Sequence, residues 1–244
     1  MNMKKFFMAA LLMASPIVAM NAMESMPDTL QTDGTVSSYK FDSSVVKLNS
    51  EKYDVTGFVD VGFATMVNPD EGDFRLWGSW EIGFGLKYKW MPFGQKNVWG
   101  LGFGVNWRNY RTDKKTYWIK NDGVMSLTPY PDGYSNRYTA LRVFSLQVPV
   151  TYTHHFDGDQ GWGITIGGIV NFNTGAHATR EYEFANEEYS IDTPSIRQRP
   201  VTVDALLMVD FPSFPSIYCR YSPTKFFKDG AGPKMNQISF GLWF

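Results

Sequence analysis

The sequence predicts an all-β protein, an eight-stranded antiparallel up-and-down β-barrel, on three observations. Between Phe74 and Trp90 the chain alternates: Phe74, Leu76, Gly78, Trp80, Ile82, Phe84, Leu86, Tyr88 and Trp90 share one parity, and Arg75, Trp77, Ser79, Glu81, Gly83, Gly85, Lys87 and Lys89 the other. That two-residue period is a strand with one oily and one polar face. Several later segments repeat it, separated by connections that are short and long in turn. Aromatic residues make up 16% of the chain beside 22 glycines, a mixture suited to strands, tight turns and interfacial girdles.

The first residues have the form of an export signal. Lys4 and Lys5 precede an apolar stretch from Phe6 to about Met20, and small residues follow at Ala19 and Ala22. Cleavage is expected after Ala22, with Ala19 as the second choice. Residues 23–51 are polar, rich in Ser, Thr and Asp, and poorly periodic; they are expected to form a periplasmic tail before a barrel over 52–244.

A first strand over 52–65 turns Tyr53, Val55, Val59, Val61 and Phe63 outward, and Asp54, Thr56, Phe58 and Asp60 inward. The second strand is 74–90. A tight Met91–Lys96 connection leads to a third at 97–111, with Trp99, Leu101, Phe103, Val105 and Trp107 on the apolar parity. After a long connection at 112–136, a fourth strand at 137–154 presents Phe144, Leu146, Val148, Val150 and Tyr152 to one side. A short turn, Asp157–Gly161, precedes a fifth at 162–175, and a long connection at 176–199 leads to a sixth at 200–211, with Asp204 and Asp210 inward. Pro212–Pro215 turns the chain into a seventh at 216–222. The eighth, after 235, carries Ile238, Phe240, Leu242 and Phe244 on one side.

Short turns after even strands and longer connections after odd ones are the rhythm of a transmembrane barrel of outer-membrane type, which returns both termini to the periplasm. Alternation alone fits equally a soluble lipocalin-like barrel with its oily face inside, and Gly78-Ser79-Trp80 mimics such a motif. Lipid outside is favoured because aromatics on the apolar parity gather near strand ends, as in interfacial belts. The polar parity also mixes Asp60, Glu81, Arg108, Asp204 and Arg220 with glycines. Arg142 shares the apolar parity but lies beyond Phe144, clear of the hydrocarbon.

Other classes are disfavoured. A net charge of -1 gives no electrostatic reason to expect nucleic acid. After the leader, no segment has the roughly 18 consecutive apolar residues of a spanning helix. The single cysteine, Cys219, cannot form an internal disulfide.

Leu146-Gln147-Val148-Pro149-Val150, Tyr218-Cys219-Arg220-Tyr221-Ser222-Pro223 and Ile238-Ser239-Phe240-Gly241-Leu242-Trp243-Phe244 resemble the small outer-membrane barrel proteins of Bacteroidetes, the PorT-like group. The resemblance covers most of 52–244 and implies an eight-stranded barrel in the outer membrane; some relatives assist protein secretion. Phe240, Leu242 and Phe244 resemble the terminal signal read by the barrel-assembly machinery. No catalytic motif is carried over.

The inward charges Asp60, Glu81, Arg108, Asp204 and Arg220 are expected to form a lumen network, because eight strands leave an interior that side chains fill. Counting across Met91–Lys96 puts Glu81 near Asn106 and diagonal to Arg108, with Gly83 and Gly85 facing Gly104 and Gly102, and Asp60 near Ser79. The rival is a cavity or narrow passage at the glycines on the periplasmic half, which large inward residues such as Phe58, Met208 or Tyr218 would fill instead. His154 and His155 lie beside the short Asp157-Gly158 turn, where interfacial or turn roles are usual, and as neighbours on a strand they point to opposite faces; His177 opens a long loop and has no serine partner at a recognised spacing. Gly100, Gly102 and Gly104 lack the helix of a nucleotide loop. No catalytic, cofactor or metal site is therefore assigned.

The long loops carry Lys114, Lys115, Tyr117, Trp118, Tyr130 and Tyr134, then Arg180, Tyr182, Phe184 and Tyr189 among Glu181, Glu183, Glu187, Glu188 and Asp192. Tyr117, Trp118, Tyr182 and Phe184 are the candidate recognition residues, since aromatics give contact area with few rotors; the alternative is that opposite loop charges pair and the aromatics cap the barrel. The reading is a monomer whose role is structural or recognition-based, accessory to a secretion or surface assembly. Its partners would be outer-membrane lipid, the barrel-assembly machinery, and an envelope or extracellular protein or glycan. A narrow solute channel is the alternative, and an outer-membrane hydrolase a more distant one.

Overall fold

The computed structural model describes residues 52–67, 74–156 and 161–244. The expected signal at 1–22, the tail at 23–51 and most of the Asp157–Gly161 turn lie outside them. Eleven strands and no helix form among the described residues: β1 (Tyr53–Val67), β2 (Trp80–Trp90), β3 (Asn97–Arg111), β4 (Thr116–Asn121), β5 (Val124–Pro129), β6 (Ser135–His155), β7 (Gly163–Phe184), β8 (Glu187–Pro194), β9 (Val201–Phe211), β10 (Phe214–Ser222) and β11 (Asn236–Trp243). Eight of them pair in the order β6-β3-β2-β1-β11-β10-β9-β7, and a further β6–β7 pairing closes the ring. All the pairings are antiparallel.

The three additional strands occupy connections expected to be plain loops. β4 and β5 form a hairpin closed by Asp122 and Gly123, both at positive φ, as a two-residue turn matched to strand twist requires. β7 continues past its last partner on β9, Val201, and pairs instead with β8 through a turn at Ala185 and Asn186, again at positive φ. This raises a three-stranded β6–β7–β8 wall at the long-loop end.

Two local expectations need correction. The alternation from Phe74 to Trp90 is not one strand: Phe74 makes a lone bridge to Thr112, and the chain turns before β2 begins at Trp80. Gly78 sits there at φ +93, and Ser79 Oγ donates to the Arg75 carbonyl at 2.5 Å. The register across Met91–Lys96 is also displaced by two residues. Trp90 opposes Trp99, so Glu81 faces Arg108 directly, Gly83 faces Asn106 and Gly85 faces Gly104. Asp60 lies opposite Gly83 rather than near Ser79. Asn97 and Val98 both fall between Trp90 and its partner Trp99, so the connection is two residues longer on the β3 side alone, and that moves every partner along.

The oily parity points away from the ring's interior. Val55 is 61% exposed, Leu86 60% and Phe103 59%, whereas Phe58, Asp60, Glu81 and Arg220 are buried inside. Cys219 is on the outer face.

Candidate functional site

At mid-height the ring's inner face brings together all five residues of the expected network. Arg108 on β3 donates from Nε to Glu81 on β2 at 3.0 Å and from Nη2 to Asp204 on β9 at 2.7 Å. Arg220 on β10 lies 3.1 Å from Asp60 on β1 and 3.7 Å from Glu81. Its guanidinium also faces the rings of Tyr218 at 4.8 Å and Trp243 at 5.3 Å. Five strands thus meet through two cations and three carboxylates, a net charge of about -1 when all are ionised.

Neutral side chains complete the layer, and of these the sequence placed only Asn106 beside one of the five charges, Glu81. Gln147 and Asn106 donate to the two Asp60 oxygens at 3.3 Å each, and Asn171 donates to Asp204 at 2.8 Å. Gln237 Oε1 accepts from Arg108 Nη1 at 3.1 Å and from the Tyr110 hydroxyl at 2.5 Å. The Tyr218 hydroxyl donates to Glu81. Each lies on the parity opposite the oily residues of its own strand, so that alternation would have found the rest.

The layer is enclosed above and below. Toward the short turns, Phe58, Ile169, Leu206, Met208, Tyr218 and Trp243 form an apolar cluster, with Phe58 stacked on Trp243 at 4.6 Å. The space that the rival passage would need is filled by these large inward side chains. A side chain at Gly104 would meet the Phe58 ring at 2.9 Å, and one at Gly100 would meet Lys87 Cε at 2.3 Å. Toward the long loops, Trp118, Met125, Ile196, Phe226, Phe227 and Met235 pack with Tyr110, Leu141 and Val143 of the ring. Backbone bonds stitch these connections to one another, Met125 N–H to the Ala231 carbonyl at 2.8 Å and Arg199 N–H to that of Phe226 at 2.8 Å.

Trp118 therefore needs correction as a recognition residue. It is 3% exposed, with its ring 5.8 Å from Phe227 and 6.3 Å from Phe74. Alternation along β4 turns Trp118 into the apolar cluster and its neighbour Tyr117 to the opposite face. Tyr117 meets Tyr130 at 4.8 Å, and Tyr134 joins Tyr182 at 4.8 Å and Phe184 at 5.0 Å. Tyr182 stacks on Tyr189 at 5.3 Å. Arg180 sits over Tyr117 at 4.4 Å and Tyr182 at 5.3 Å. The result is an aromatic rim on the β6–β7–β8 wall, with Phe184 and Tyr189 exposed. Burial pushes the Tyr130 phenol up from its ordinary value. A hydrogen bond to Glu187 does the same to Tyr189.

The histidines are dispersed. His154 Nδ1 lies 2.9 Å from Asn97 Oδ1, and His177 is inside β7, opposite Arg142 and Pro194, rather than opening a loop. No group of three or more metal-ligating side chains occurs among the described residues. Phe240 and Phe244 are exposed on the outer parity of the last strand and its end, with Leu242 half-buried between them. No family model, curated protein or solved structure matches the chain.

Proposed function

We propose that this chain is an exported outer-membrane β-barrel with a structural and surface-recognition role, working through its long-loop end rather than as a pore or a catalyst. The observation that carries this reading is the apolar outer face: Val55, Leu86, Phe103, Ile166 and Leu207 are each more than half exposed, while Asp60 and Glu81 are fully buried inside. In water such a face is a liability for association. In a bilayer each Leu-sized side chain moved out of water contributes about 1.5–3 kcal/mol, and a ring of paired strands leaves few backbone groups unsatisfied in hydrocarbon.

Aromatic side chains lie where interfacial belts belong. Tyr88, Trp90, Trp99 and Trp162 are exposed toward the short turns, and Phe63, Trp107 and Phe172 toward the long loops. The filled interior supports a closed lumen, so planar-bilayer recordings at high salt are expected to stay at baseline. Expression with the native N-terminus should give a shortened, outer-membrane protein whose gel mobility changes on boiling. Recovery of a monodisperse protein from the aqueous fraction without detergent would overturn the reading.

A further inference from the structure

Above the ring, the start of β6 and the segment before β4 form a solvent-open pocket of ≈ 400 Å³ lined by Lys114, Lys115, Tyr134, Ser135, Asn136 and Arg137. Its size is at the lower end of small-molecule sites, about 300–1,000 Å³. We propose that this pocket binds an acidic saccharide, an inference that rests on reading the long-loop end as the recognition surface and gives it a ligand class.

The charge selects an anion. Lys114, Lys115 and Arg137 form no ion pair among the described residues, on a chain whose net charge is -1. Two carboxylates border the lining, Asp113 accepting the Lys114 backbone N–H at 2.7 Å and Glu183 accepting Asn136 Nδ2 at 2.5 Å, so three cations stand against two anions there. Arg137 is held in place, with Nε donating to the Tyr134 carbonyl at 2.9 Å and Cζ 5.5 Å from the centre of the Tyr130 ring.

The wall selects a sugar rather than a bare anion. Tyr134 is flanked by Phe184, stacked at 5.0 Å, and by Tyr182 at 4.8 Å. A fixed aromatic wall offers apolar surface to the C–H face of a pyranose at little entropic cost. Ser135 and Asn136, both exposed at the mouth, supply hydroxyl and amide groups for sugar hydroxyls. Carboxylate or sulfate on the sugar then meets the three cations, and Arg137 can pair with either in bidentate fashion.

The test uses the purified full chain in detergent micelles with four probes: oligogalacturonate, its methyl ester, a heparin-derived oligosaccharide and inorganic sulfate. The expected result is saturable binding of at least one of the two acidic saccharides. For oligogalacturonate, methyl esterification should weaken binding by about tenfold or more. The paired change Lys114→Gln with Lys115→Gln, and separately Tyr134→Ala, should each weaken the bound saccharide by a similar factor with heat-modifiable mobility unchanged. Failure of both acidic saccharides, equal binding of acid and ester, or sulfate competing as well as the saccharide overturns the proposal. Absence of saccharide binding by the unsubstituted protein, still found in the outer membrane, sinks the ligand assignment alone; partition of that protein into the aqueous fraction sinks the membrane reading instead.

Discussion

Arg108 and Trp118 are buried to the same degree, 3% exposed each, but they are held by opposite means. Arg108 sits on a ring strand and is fixed by ion pairs to Glu81 and Asp204 on two others. Trp118 sits on a hairpin outside the ring and is fixed by packing against side chains from the connections. The centre is therefore specified by charge and strand register, and the long-loop end by apolar complementarity. Disturbance of the first should loosen the whole ring, because five strands meet there. Disturbance of the second should free one hairpin.

The largest effect is expected from Arg108→Met. It removes the ion pair of Asp204 and one of the two arginines beside Glu81, leaving buried carboxylate charge, which costs about 3–5 kcal/mol. Urea unfolding of micelle-held protein, followed by tryptophan fluorescence, reads that loss. Adding Asp204→Asn should recover part of it by deleting the stranded charge. A single change that leaves the midpoint in place would mean the layer is filler rather than a tie between strands.

Trp118→Ala should cost about 3 kcal/mol, expressed locally. The hairpin turn at Asp122 and Gly123 becomes a protease target while the ring keeps its heat-modifiable mobility, because opening of one unit does not require global unfolding. Global unfolding in this variant at the same denaturant concentration as Arg108→Met would erase the distinction between the two regions.

What was legible in the sequence follows the same division. Asp60, Glu81, Arg108, Asp204 and Arg220 were placed together from parity alone, since closure brings inward residues of all eight strands to one axis. Register was not legible to the residue, because the length of the Met91–Lys96 loop sets it and alternation is unchanged by a shift of two. At the long-loop end parity carries no such constraint. Trp118 looked like an exposed loop aromatic because its partners Phe226 and Phe227 lie more than a hundred positions away. The Asp122-Gly123 pair was a usable signal for the β4–β5 hairpin. Ala185-Asn186 is a weaker one, and β8 offers only Tyr189 and Ile191 as alternating apolar positions among Glu187, Glu188, Ser190 and Asp192, too short a run to mark a strand.

Glycine sharpens the contrast at a smaller scale. A Cβ at Gly85 would stand 2.3 Å from the Phe103 carbonyl oxygen and 2.6 Å from Gly104 Cα, so Gly85→Ala forces the β2–β3 pair apart and should cost about 1–3 kcal/mol. Gly168, also in the ring, meets only the Asp204 carbonyl oxygen at 3.7 Å. Gly168→Ala should change stability by no more than about 0.5 kcal/mol. Urea midpoints of the two variants, measured side by side, test whether close strand approach at Gly85 is what fixes the inner layer.

The smallest effect concerns pH at the rim. The Tyr130 hydroxyl lies 2.8 Å from Thr139 Oγ1, and the Thr139 carbonyl accepts from the Thr112 N–H at 3.0 Å, so this phenol ties the connection before β6 to the top of β3. Burial raises its pKa. A tyrosine in the unfolded chain titrates near 10, so the contribution from Tyr130 is complete below about pH 10 and is lost as pH climbs from there through the raised value, because the unfolded state gives up its proton first. Arginine stays charged throughout that window, which leaves the ion pairs of the central layer unaffected. Ultraviolet titration of tyrosinate should show one late-ionising phenol that disappears in Tyr130→Phe. The same variant should flatten the alkaline rise in proteolysis of the β4–β5 hairpin without altering the heat-modifiable mobility of the ring. An alkaline rise that persists unchanged in Tyr130→Phe would assign the loosening to another rim phenol.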